Sequence, residues 1–108
     1  GWLQMANSGS GTDTLRLFVR QIGSIVSVQG IVNTARRDGG NWGGVVAVLP
    51  NKIQPPRYSV RTTVCHWNDD HKYNRGSSFT IEGGLRQVKL YERGFYNVDI
   101  EINFTYFV

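Results

Sequence analysis

Between His66 and Gly76 the chain reads His-Trp-Asn-Asp-Asp-His-Lys-Tyr-Asn-Arg-Gly, its densest run of side chains able to engage a ligand. Trp67 and Tyr73 offer flat rings against which the C–H faces of a sugar can lie. His66, Asn68, Asp69, Asp70 and His71 supply donors and acceptors for hydroxyls, and Arg75 can fork onto a hydroxyl pair or a phosphate. That combination points to saccharide binding. A plain reading stands beside it, a solvated polar insertion with one ring tucked against the domain. His66, Asp69, Asp70 and His71 are also competent metal ligands, but their spacing fits no compact metal motif, so neither a metal nor a cofactor is expected.

Two further residues join the candidate set. Arg61 lies on the polar face of the strand leading into this insertion, within reach of a ligand or simply at the surface. Trp42, between Asn41 and Gly43-Gly44, either borders a site or plugs the base of the fold, and the glycines favour tight backbone packing beside its ring. Arg36-Arg37 is the one adjacent basic pair and reads as a free polar segment. Catalysis is not expected. The chain has no nucleophile elbow, no H-E-x-x-H pair and no phosphate loop. Asp99 and Glu101, two apart on one strand face, are ordinary for a solvated surface, and the Asn103-Phe104-Thr105 sequon falls inside a strand.

The elements that must hold these residues are strands. The chain has 108 residues with thirteen glycines and thirteen aromatics, and no window repeats apolar residues at helical spacing. Residues 1–13 read as a short edge strand (Trp2 to Met5) and a Gly/Ser linker, and residues 14–108 as one domain. Leu15, Leu17 and Val19 alternate with Arg16, Phe18 and Arg20. After a turn at Ile22-Gly23, Val26, Val28 and Val32 share a face with Gly30, where a bulge or a close neighbour is expected. Ile25 and Ile31 on the opposite face suggest that it too is partly covered.

Val45 to Leu49 is a continuous apolar run of the kind a strand buried on both faces uses. Pro50 and Pro55-Pro56 make a rigid corner behind it. Strands are then expected over Tyr58–His66, Ser77–Ile81 and Leu85–Tyr91, with turns at Glu82-Gly83-Gly84 and Glu92-Arg93-Gly94. Val98, Ile100, Ile102, Phe104 and Tyr106 alternate to the end of the chain, a pattern regular enough to suggest a central strand. Seven or eight antiparallel strands predict an all-β, jelly-roll-like sandwich or barrel.

Charge and cysteine content narrow the class. The formal charge is +4 and the pI about 9.6, which admits nucleic acid or an anionic polymer as partner, although the basic residues are dispersed. A lone Cys65 forms no internal disulfide and suits synthesis in a reducing cytosol. No apolar run approaches the roughly 20 residues of a membrane span, so membrane insertion is not expected. A start at Gly1-Trp2 suggests a piece from the C-terminal part of a longer protein.

The order of these features resembles one family. Gly1-Trp2, then Leu15-Arg16-Leu17-Phe18-Val19-Arg20-Gln21-Ile22-Gly23-Ser24-Ile25-Val26-Ser27-Val28-Gln29-Gly30, then Val48-Leu49-Pro50 with Pro55-Pro56, is similar to the C-terminal head domains of phage tail-fibre and baseplate receptor-binding proteins, including those of lactococcal and related Gram-positive phages. The resemblance spans nearly the whole chain, and the order of the pieces carries it. It implies a small trimeric β-sandwich or barrel at the virion tail tip that recognises host cell-wall saccharide or glycerol-phosphate polymer. It implies no particular binding residues, because the surface loops of the family vary, and the insertion from His66 to Gly76 is a departure from its pattern. Phe18, Ile25, Ile31 and Phe107 would suit a trimer interface. Two alternatives remain: an OB-like nucleic-acid-binding barrel, which needs aromatics interleaved with Lys/Arg on one sheet face, and a ligand-free trimerisation module.

Overall fold

A computed structural model describes residues 1–7, 14–33, 42–67, 74–92 and 99–108. Nine strands are formed among them: β1 (Leu3–Gln4), β2 (Ala6–Asn7), β3 (Thr14–Ile22), β4 (Ile25–Asn33), β5 (Trp42–Val48), β6 (Val60–Trp67), β7 (Asn74–Ile81), β8 (Gln87–Glu92) and β9 (Asp99–Phe107). They build two antiparallel sheets, a four-stranded sheet A in the order β1-β3-β4-β9 and a five-stranded sheet B in the order β2-β5-β8-β7-β6. The expected all-β sandwich is the fold, with two strands of only two residues added at its edges.

The core lies between the sheets and follows the period-two pattern of the sequence. Leu17 and Val19 of β3, Val26, Val28 and Val32 of β4, and Ile100, Ile102 and Tyr106 of β9 face Phe79, Ile81, Val88 and Leu90 of sheet B. Phe79 meets Phe104 edge-on with ring centroids 5.6 Å apart, a geometry that sets the positive edge of one ring on the negative face of the other. Met5 is buried between β1 and β2, and its N–H donates to the Leu17 carbonyl at 2.8 Å. One short segment therefore serves both sheets.

Gly30 is the close contact expected in β4. A Cβ there would stand 1.8 Å from the Arg16 carbonyl oxygen, and its φ of 147° favours glycine. Gly23, at φ 60°, makes the two-residue turn that closes the β3–β4 hairpin by pairing Ile22 with Ile25.

Several boundaries differ from the sequence reading, each for a physical reason. The closing strand β9 is at the edge of sheet A among the described strands, not its centre, because it pairs with the one side of β4 that β3 leaves free. No described strand pairs with its own far side. The run Val45–Leu49 is not buried on both faces. A bulge between Val45 and Ala47 turns both Val46 and Ala47 inward and leaves Val48 exposed. Tyr58, expected to start a strand, is 78% exposed in the bend before β6, and Leu85 is in a turn before β8. Ile25 is exposed rather than partly covered.

The proline corner is held by an arginine. Arg86 Nη2 donates to the carbonyls of Pro50 and Ile53, the second at 2.6 Å. Ile53 N–H closes a turn onto Pro50 O at 3.0 Å, and Leu49 N–H donates to Arg86 O at 2.9 Å. Gln54 ties the corner to sheet A. Its N–H donates to Gln21 Oε1 at 2.9 Å, and its carbonyl accepts from the Tyr106 hydroxyl at 2.8 Å. Arg86 itself adopts φ 58°, unusual for a residue with a side chain.

Candidate functional site

Register decides which of the candidate residues meet. Pairing between β7 and β8 reaches Ser78–Tyr91, whereas β6 and β7 go on pairing through Val64–Ser77, Cys65–Gly76, His66–Arg75 and Trp67–Asn74. The two strands thus run on by four pairs, about 13 Å at strand rise. The expected polar insertion is therefore shorter than the sequence suggested. His66, Trp67, Asn74, Arg75 and Gly76 belong to strands. Asn68, Asp69, Asp70, His71 and Tyr73 lie outside the described residues.

His66, Trp67 and Arg75 are brought together at the end of this hairpin, with Arg75 directly opposite His66. The other two candidates are placed elsewhere. Trp42 pairs with Glu92, so β8 and β7 separate it from β6, about 14 Å across the sheet. Arg61 is five residues before His66 on β6, roughly 17 Å along the strand. It is exposed on the outer face of sheet B, and its Nε donates to Thr80 Oγ1 at 3.2 Å.

The strand ends at Trp67, Asn74, Trp42, Glu92, Asn33 and Asp99 all lie at one end of a domain 41 Å long. Gly1 and Trp2, the Gly23 turn, the proline corner and Val108 lie at the other. The ties from Gln21 and Tyr106 to Gln54 fix that second end, as does the hydrogen bond from Val108 N–H to Ser24 O at 2.9 Å. Arg36 and Arg37 fall outside the described residues.

The outer face of sheet A is a second surface with ordered chemistry, which the sequence reading treated only as half-covered. Registers across its strands give straight rows. Nearest the termini are Ile22, Ile25 and Phe107, then Arg20, Ser27 and Thr105. Gln4, Phe18, Gln29 and Asn103 form the next row, followed by Arg16, Ile31 and Glu101. Trp2 extends the second row, its ring under the Arg20 guanidinium with Cζ 4.6 Å from the centroid, a cation–π contact. Between Trp2, Phe18, Gln29 and Gly30 is an open cavity of about 440 Å³. The alternation that hides Leu17 and Val28 already implied this face; the pairing of rows across strands was the missing signal.

At the surface of sheet B, Lys89 Nζ contacts Glu82 Oε1 at 2.6 Å. Tyr106 is different. Burial of its phenol pushes its pKa up to about 12, against a smaller lowering by Arg86.

The architecture defined by these sheets is that of a two-layer antiparallel sandwich. Among solved structures it is similar to the head domain of lactococcal phage bIL170, described with the receptor binding domains of such phages, at a TM-score of 0.73. That likeness covers 100% of this chain and 97% of the other, at 13% sequence identity. No protein-family model matches the chain, and no curated protein matches it.

Proposed function

We propose that this domain recognises a host cell-surface receptor as part of a phage tail or baseplate protein, acting by binding rather than by catalysis. The observation that carries the reading is positional. His66, Trp67 and Arg75 stand at the end of an extended hairpin, at the end of the sandwich opposite Gly1. A chain attached through Gly1 holds that end outermost, where a receptor is met. The full-length likeness to a phage head domain supports the same role.

The receptor is a cell-wall saccharide or glycerol-phosphate polymer. Trp67 and Tyr73 stack on sugar rings, Asn68, Asp69, Asp70, His66 and His71 bond hydroxyls, and Arg75 engages a hydroxyl pair or a phosphate. Trp42 and Arg61 flank this set at a distance and form its outer contacts at most. Three copies associate through the apolar row Ile22, Ile25 and Phe107 near the termini, so that weak single sites act together.

Adsorption of the labelled domain to host cells tests the reading. Trp67→Ala and Asp70→Ala are expected to abolish adsorption while circular dichroism and solution mass stay unchanged. Normal adsorption by both variants would remove the hairpin site from the account. Salt-sensitive binding to single-stranded nucleic acid without adsorption would favour the OB-like alternative.

A further inference from the structure

The outer face of sheet A holds a second grouping that the hairpin reading does not use. Gln4, Phe18, Gln29 and Asn103 form one row across all four strands, and Trp2 and Arg20 begin the row beside it. Strands about 4.8 Å apart and same-face residues about 6.8 Å apart make this a patch of roughly 14 by 7 Å, the footprint of one or two sugar rings. Its components are an aromatic pair, three exposed carboxamides and a guanidinium. The carboxylate nearest along these strands, Glu101, belongs to the next row.

This composition selects its occupant. A second copy of the chain would need an apolar surface, and the row Ile22, Ile25 and Phe107 supplies that nearer the termini. Carboxamides offer two donors and an acceptor each in one plane, matching adjacent hydroxyls. The rings of Trp2 and Phe18, each 38% exposed beside the cavity of about 440 Å³, offer flanking apolar faces. Arg20, held over Trp2, leaves guanidinium N–H groups for a hydroxyl pair or a phosphodiester. Every member is on a strand of the rigid sheet or directly beside one, so little ordering entropy opposes binding.

We infer that the Trp2–Phe18 face of sheet A is a saccharide-binding subsite, distinct from the hairpin end, which takes a polyhydroxylated ring or a glycerol-phosphate unit. The inference rests on the receptor-binding reading for its ligand class. A long surface polymer then contacts the domain at its outer end and along its flank.

The side-chain NH₂ signals of Gln4, Gln29 and Asn103 report the site directly by NMR. Glucose, N-acetylglucosamine and glycerol phosphate are titrated separately, each to several times the roughly 1 mM Kd of a shallow single site. The three signals are expected to shift together and saturate with at least one probe. Phe18→Ala or Gln29→Ala should weaken that response about tenfold, and Trp67→Ala should leave it intact. A response to glycerol phosphate alone, lost in Arg20→Gln, assigns the phosphodiester; a response to a sugar assigns the ring. Unmoved signals with all three probes overturn the subsite, as does a response unchanged in Phe18→Ala. It is also overturned if sedimentation shows copies associating through this face and Phe18→Ala separates them. Cell adsorption distinguishes the two failures: a domain that adsorbs with this face silent keeps the hairpin reading, whereas loss of the hairpin reading alone leaves these shifts in place.

Discussion

Replacing Gly30 by alanine tests the packing logic of sheet A. The new Cβ would stand 1.8 Å from the Arg16 oxygen, 2.8 Å from the Arg16 carbonyl carbon and 3.0 Å from the Leu17 Cα, all backbone atoms of β3. No side chain can swing aside, so β3 and β4 must separate by roughly 1.5 Å to reach ordinary contact. Holding alanine near φ 147° costs about 1–3 kcal/mol. The displacement strains the neighbouring ladder bonds, about 1 kcal/mol each, and moves fully buried Leu17, about 1–3 kcal/mol more. With two such bonds the sum is about 4–8 kcal/mol, against a typical total of about 5–15 kcal/mol. Gly23→Ala is the matched control: φ is 60° there but nothing lies within 4 Å, so only about 1 kcal/mol is expected. Urea denaturation of both variants, with unchanged slope, measures the difference. Equal losses at the two positions would refute the close-approach argument.

Three other substitutions probe the corner and the core. Tyr106→Phe removes the hydrogen bond to Gln54 O and should cost about 1 kcal/mol at neutral pH. The phenol titrates near 10 when unfolded and at about 12 when folded, so its stabilisation is complete below pH 10 and is lost as pH rises toward 12. The variant should therefore fall less steeply than wild type in urea midpoints taken across that window, and parallel curves would contradict the burial argument. Arg86→Ala frees the Pro50 and Ile53 carbonyls and should cost about 2–4 kcal/mol, with amide exchange rising first at Ile53 and Gln54; uniform exchange would show that the corner is not clamped. Phe79→Ala leaves a hole at the centre of the core and should cost about 3–5 kcal/mol by thermal denaturation.

The sandwich was legible because its strands obey a period of two. Leu17 and Val19, Val26 and Val28, and Ile100 and Ile102 were each assigned to the inner face from alternation alone, and each is buried. Pairing order was not legible: alternation shows which face a residue takes but not which strand lies beside it, and β9 could be placed at an edge only from its register with β4. Met5 and Arg86 were missed for a related reason. One methionine before a Gly/Ser segment and one arginine after Gly83-Gly84 carry no periodic signal, yet one joins the sheets and the other fixes the corner. Among the site candidates, His66, Trp67 and Arg75 lie near one another because a hairpin brings sequence neighbours together. Trp42 and Arg61 were grouped by residue type, and strand spacing separates them.

The edge position of β9 also governs when the chain can fold. Its partner β4 lies far upstream: Asn33 pairs with Asp99 across 66 residues, and Ile25 with Phe107 across 82. The β3–β4 hairpin can form as soon as its own residues are available, but the inner face of sheet A stays incomplete until the last strand is synthesised. During translation those final residues are still inside the ribosome when the rest of the domain has emerged. Val26, Val28 and Val32 then wait beside an open strand edge for the strand that arrives last. A chain cut short within β9 would expose that edge permanently.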